Sequence, residues 1–179
     1  MSDLMDVVEF EIGGSLYAMD ISFAREIIEM TSITRLPRSP DYIAGIINLR
    51  GEILNVLDIN SILSIPVSGS REGQKIIVLL PDASRGSNVG IIVDNVHSVL
   101  QITEKDVESV GNDLVGTEFI KGVIKQKKEG GEKNEHPRLI IWLDTSALLE
   151  AIMGIEVKET APAPVAITNE TVFHQEEQA

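Results

Sequence analysis

Three aspartates invite a chemical reading. Asp58, Asp94 and Asp144 each close a run of apolar residues, where a carboxylate beside a core could act as acid or base. Two of them have a simpler role: Asp58 and Asp144 precede apolar stretches of helical character, Ile59-Asn60-Ser61-Ile62-Leu63 and Thr145-Ser146-Ala147-Leu148-Leu149, so N-capping accounts for both. His97, His136 and His174 stand apart, with no second ligand at metal spacing. Neither a G-x-S-x-G elbow nor a G-x-x-x-x-G-K-[ST] loop occurs. The chain has no cysteine, which excludes disulfides and thiolate metal sites and fits a reducing compartment. These residues assemble no catalytic constellation and call for no metal or cofactor.

The elements that carry them are short and mostly extended. Val7-Val8-Glu9-Phe10-Glu11-Ile12 alternates apolar and acidic residues, as a half-buried strand does, and Gly13-Gly14 turns it into Leu16-Tyr17-Ala18-Met19-Asp20-Ile21. Ser22 fits an N-cap for a short helix over Phe23-Ala24-Arg25-Glu26-Ile27-Ile28. A brief strand, Ile33-Thr34-Arg35-Leu36, is stopped by Pro37 and Pro40. A central hairpin then runs from Gly45 to Ile59 with Arg50-Gly51-Glu52 at its tip, the glycine supplying the positive φ of a tight turn. Residues 64–74 read as a linker. Lys75-Ile76-Ile77-Val78-Leu79-Leu80, Asn88-Val89-Gly90-Ile91-Ile92-Val93-Asp94-Asn95-Val96 and Val99-Leu100-Gln101-Ile102 read as further strands, Thr103-Glu104-Lys105-Asp106 as a capped turn, and residues 107–110 as another short strand.

The second half echoes the first. Tyr42-Ile43-Ala44-Gly45-Ile46-Ile47 is answered by Phe119-Ile120-Lys121-Gly122-Val123-Ile124. The arm from Ile53 to Leu63 is answered by Leu139 to Leu149, and Met19-Asp20 before Ile27-Ile28 by Val93-Asp94 before Val99-Leu100. A unit of about 60 residues buries too little alone, so two copies, 6–65 and 75–152, should pack together in one domain spanning 6–154. The second hairpin tip, 126–137, is long and charged and reads as a surface loop. Residues 155–179 mix Ala, Pro and acidic residues without periodicity, the composition of a disordered tail in which Val172-Phe173 is a candidate docking pair. One Trp, two Tyr and four Phe leave the core aliphatic. Lys and Arg number 15 against 28 Asp and Glu, a net charge of −13 that repels nucleic acid. The N-terminus lacks a signal-peptide pattern, and the apolar runs fall far short of the roughly 20 residues that span a bilayer. A soluble, cytoplasmic protein is expected.

These blocks together resemble the CheW-like coupling domains. The anchors are Phe10, Leu16-Tyr17-Ala18-Met19-Asp20-Ile21, Glu26-Ile27, Ile33-Thr34-Arg35-Leu36-Pro37, Ile43-Ala44-Gly45-Ile46-Ile47-Asn48-Leu49-Arg50-Gly51 and Val89-Gly90-Ile91-Ile92-Val93-Asp94-Asn95-Val96, across roughly residues 6–152. The family usually carries proline where this hairpin has Asn55, so here that arm keeps a backbone donor. The resemblance implies an all-β fold of two intertwined SH3-like five-stranded barrels with short helical turns and a C-terminal helix. It implies an adaptor without catalysis or cofactor, which couples the cytoplasmic tips of chemoreceptors (methyl-accepting chemotaxis proteins) to the regulatory domain of the histidine kinase CheA at membrane-associated arrays. That domain of CheA and the amino-terminal half of CheV share the fold, but the 179 residues leave no room for a kinase core or receiver domain, so a stand-alone adaptor is expected. An enzyme on a small β-barrel is the competing class and would need a clustered acid–base group. By the same resemblance, Ala24, Glu26, Ile27, Asn48, Arg50, Val93 and Val99 are expected in a receptor-binding groove, with Arg50 reaching a receptor carboxylate. Val89, Ile91 and Val96 are expected at the kinase contact on the second copy.

Overall fold

The computed structural model describes residues 3–67, 70–84, 86–111, 116–127 and 136–159, with side chains to Gly154. The N-terminal alternation forms β1 (Met5–Ile12), and the Gly13-Gly14 turn leads into β2 (Ser15–Asp20). The two pair antiparallel with Phe10 opposite Tyr17, their rings stacked at 6.1 Å. After a 3-10 turn at Ile21–Phe23 come β3 (Ala24–Glu29), β4 (Ile43–Leu49) and β5 (Glu52–Leu57). The second half supplies β6 (Lys75–Leu79), β7 (Val89–Val93), β8 (Asn95–Ile102), β9 (Val107–Glu108), β10 (Ile120–Gln126) and β11 (Arg138–Leu143), then helix α1 (Thr145–Glu159). Among the described residues the fold is therefore mostly β, in two sheets, with a single α-helix.

The expected helix over residues 23–28 is a strand. Its sequence alternates at period two as well, with Ala24, Glu26 and Ile28 half-buried and Arg25, Ile27 and Glu29 exposed, and its antiparallel pairing with β6 settles the choice. Residues 33–36 contribute only an isolated bridge, Thr34 to Ile46. Asp58 caps a single turn rather than a helix: its Oδ1 accepts from the Asn60 amide at 3.1 Å, and one Leu63-to-Ile59 bond follows. Asp144 does cap a helix, accepting from the Ala147 amide at 3.0 Å. That helix runs to Glu159, beyond the Ile152 expected from sequence. Most of the 126–137 loop, and the chain from residue 160, including Val172-Phe173, lie outside the described residues.

One sheet has the order β8-β1-β2-β11-β10-β9 and the other β3-β6-β7-β5-β4. These are the same arrangement. β6 and β7 stand in the second sheet where β1 and β2 stand in the first, and β3, β4 and β5 match β8, β10 and β11. The Thr34 bridge to β4 matches the pairing of β9 with β10. Each sheet thus takes its first hairpin from the other half of the chain. The interiors correspond as well: Ile47, Leu54 and Val56 in one core cluster match Ile124, Ile140 and Trp142 in the other. Phe10, Met19, Ile77 and Ile91, on the opposite faces of the same central strands, are also buried, so β1, β2, β6 and β7 are covered on both sides. Where the halves cross, the Asp94 amide donates to the Glu11 carbonyl at 2.8 Å, and its carboxylate accepts from the Gly13 amide at 2.7 Å.

Gly45 and Gly122 show how tightly each sheet returns on itself. A Cβ on Gly45, at φ 145°, would lie 2.2 Å from the Thr34 carbonyl oxygen. One on Gly122 would lie 2.7 Å from Val107 and 2.8 Å from the Glu108 carbonyl oxygen. In both copies the returning segment crosses over a glycine at a register shift, and only a residue without a side chain fits there.

Candidate functional site

The central hairpin pairs Leu49 with Glu52, leaving Arg50 and Gly51 as a two-residue loop at φ 51° and 88°. Two positive φ values are what a type I′ turn requires, and an arginine at the first position is strained there. Asn48 offsets part of this by accepting the Gly51 amide on its Oδ1 at 2.8 Å. The turn aims Arg50 at β3, where Nη2 donates to Glu26 Oε2. Arg25 lies 3.8 Å from Glu26 and 3.7 Å from Glu52. Although β3 and β4 end the strand order of their sheet, the Arg50–Glu26 pair links the hairpin tip after β4 to β3. Beside this charged knot, β3 exposes Ile27 (45%).

The expected groove residues separate into three groups. Glu26, Asn48 and Arg50 are brought together at the hairpin tip, with Ala24 and Ile27 on the same edge strand as Glu26. Val99 is exposed on β8, the corresponding edge strand of the other sheet. Val93 is fully buried in β7, a central strand, and its side chain cannot offer an apolar contact to a partner. Arg50, expected to present a free cation, is already held by Glu26.

The expected kinase-contact set needs the same correction. Val89 and Ile91 are buried in β7 and only Val96, on β8, is partly exposed. β7, with β6, belongs moreover to the sheet completed by β3, β4 and β5, not to the sheet of β8, β9, β10 and β11. Ile53 was missed by the sequence reading. It is exposed opposite Asn48, and the alternation of β5, with Leu54 and Val56 buried and Ile53 and Asn55 out, is the signal that marks it.

The aspartates examined for chemistry are absorbed by structure. Asp58 accepts from Arg71 at 3.0 Å as well as from its own turn, and Asp94 from Gln74 at 2.8 Å. Asp20 accepts from Trp142 Nε1 at 2.9 Å and from Lys121 at 2.6 Å. Asn55 uses the backbone donor it retains, bonding the Asn88 carbonyl at 2.9 Å. Among the described residues no group of three or more His, Asp or Glu side chains could hold a metal, and no helix is long and apolar enough to cross a membrane.

Two sheets exchange their first hairpins, and one carries a polar hairpin tip pinned beside an exposed apolar edge strand. The family model for the CheW-like domain matches residues 6–153, and the chain belongs to that family. It is 33% identical to the chemotaxis protein CheW of Thermotoga maritima, with 82% of this chain and 89% of the relative aligned. The Bacillus subtilis chemotaxis protein CheW is 29% identical over 80% and 86% of the two chains. The crystal structure of the scaffolding protein TtCheW from Thermoanaerobacter tengcongensis superposes with a TM-score of 0.65 at 30% identity, covering 80% of this chain and 86% of that one.

Proposed function

We propose that this chemotaxis scaffold is a non-catalytic cytoplasmic adaptor that couples chemoreceptor tips to the histidine kinase CheA, each of its sheets curling into an SH3-like barrel. The observation that carries the reading is the Glu26–Arg50 ion pair, which fixes a strained polar tip beside the exposed Ile27 and Ile53. Such an edge suits a receptor's helical hairpin, with apolar contact at Ala24 and Ile27 and hydrogen bonds from Asn48 and Arg50. Val99 extends the apolar surface on the second sheet, and the kinase takes a separate face that includes Val96.

Co-sedimentation with receptor-bearing membranes and with CheA, separately and together, tests this. Arg50→Glu should weaken receptor co-sedimentation by about 2–5 kcal/mol where the contact is desolvated, and leave CheA binding in place. A folded Arg50→Glu protein that sediments like the wild type, or that loses both partners, overturns the two-surface reading.

We also propose that the coupling module ends with α1 and that residues 160–179 are dispensable for coupling. Removing them should leave the melting temperature and kinase binding unchanged, because their composition buries too little to offset about 1–2 kcal/mol per residue of ordering entropy. A marked loss of kinase binding on this truncation would make the tail a third docking element.

A further inference from the structure

Every described lysine and arginine side chain holds a carboxylate in an ion pair except four, Arg35, Arg38, Lys105 and Lys127. In a chain of net charge −13, unpaired cations are the scarce kind. Two of them, Arg35 and Arg38, line one cavity of about 380 Å³. A neighbouring cavity of about 220 Å³ shares Arg35, Ala44 and Arg71 with it, so a single groove runs to either side of Arg35. Arg71 is fixed at this groove by Asp58, which is itself buried and anchored on the Asn60 amide. Apolar side chains alternate with the arginines along the walls: Met30 and Ile33 at one end, Leu36 and Val67, 37% and 66% exposed, at the other.

Backbone strain is an independent pointer. Arg38 sits at φ 59° in the turn after Pro37, a conformation that glycine or asparagine adopts at much lower cost. The turn is held shut by Ser39 Oγ donating to the Leu36 carbonyl at 2.9 Å. Pro40 follows, and its carbonyl accepts the Ile43 amide at 2.9 Å. An arginine held where glycine would be relaxed, with no ion-pair or hydrogen-bond partner among the described residues, fits a binding role.

We propose that this groove docks an acidic peptide segment of a partner protein, its carboxylates taken by Arg35 and Arg38 and its apolar side chains by Ile33, Leu36 and Val67. Arginine forks suit carboxylates, and the interleaved apolar wall favours a peptide over a lone anion, which would leave Leu36 and Val67 in water. The groove is separate from the Glu26–Arg50 tip, and its occupancy does not depend on the coupling role proposed above.

The test is fluorescence anisotropy of the full chain with a short labelled peptide alternating Glu and Leu, a Gln–Leu control, and inorganic phosphate as competitor. Arg38→Gly relieves the strained turn, so the Arg35→Gln/Arg38→Gly protein should keep or raise its melting temperature while binding the Glu–Leu peptide about tenfold more weakly or worse. Saturable binding of Glu–Leu but not Gln–Leu, lost in that variant, supports the assignment. Equal affinity in variant and wild type, binding of the Gln–Leu control, or displacement by phosphate at concentrations comparable to the peptide's own overturns it.

Discussion

Arg50 and Glu26 form a pair whose arginine is 66% exposed in its side chain. Exposed ion pairs contribute only about 0.2–1 kcal/mol, so the pair serves placement more than stability. Glu26→Arg combined with Arg50→Glu should therefore restore most of the folding stability lost by either single change, as urea denaturation would show. Receptor binding should stay impaired in the double variant, because the charges a receptor meets are reversed. Recovery of binding in the swapped protein would show that the pair matters only for its internal bond. Gly45 has a different role, since its hydrogen faces the Thr34 carbonyl at a φ of 145°. Gly45→Ala should cost about 2–3 kcal/mol, from the steric clash together with the backbone conformation. Gly122→Ala, free of the φ penalty, should cost less. Equal denaturation midpoints for the two variants would contradict the closure described for the sheet.

At the scale of elements, the capped turn after β8 carries a pH signature. Asp106 accepts both the amide and the hydroxyl of Thr103, at 2.8 and 2.9 Å, and the backbone bond first, then the side-chain bond, holds its carboxyl below the usual value of 3.8. A folded-state pKa lowered in this way stabilises the protein above the unfolded value, and that contribution is lost as pH falls through the folded one. The stability gap between wild type and Asp106→Asn should therefore be present at neutral pH and close as pH falls through the carboxyl's lowered folded-state value. A gap that persists there would place the effect in something other than ionisation. Several elements were legible in the sequence because their information is local: the Gly13-Gly14 hairpin, the Arg50-Gly51 tip, the Thr103–Asp106 box and the Asp144 cap. β3 was not, because Ala24-Arg25-Glu26-Ile27-Ile28-Glu29 satisfies a helical and an extended period equally well, and its partner β6 lies beyond a linker. Assigning surface roles to Val89, Ile91 and Val93 failed for a reason visible in the residues. A run with no polar residue, such as Val89 to Val93, is the mark of a strand covered on both faces, whereas an alternating strand such as β5 has a side to spare.

For the molecule as a whole, the repeats announced a duplication, and the identical strand orders give it three-dimensional form. What sequence could not show is which hairpin completes which sheet. Both arrangements bury the same residues, and only long-range pairing such as Val8 with Val99 or Ile27 with Ile77 distinguishes them. The exchange predicts that neither half is autonomous. Polypeptides cut within residues 64–74 should each be largely unfolded by circular dichroism and regain β structure on mixing. Independent folding of either fragment would rule out the exchange as the source of cohesion.

The same exchange sets an order of events on the ribosome. All five strands of the β3–β7 sheet have been made once Val93 has emerged, while β1 and β2, synthesised first, still lack β8, β10 and β11. At about 5–20 residues per second, the leading hairpin waits for some seconds with Val7, Phe10 and Tyr17 unsheltered. Asp6, Glu9 and Glu11, spaced along β1, are charges of the kind that keep such a strand from pairing with its neighbours on a crowded polysome. The acidity of the first strand thus protects a segment that is made first and buried last.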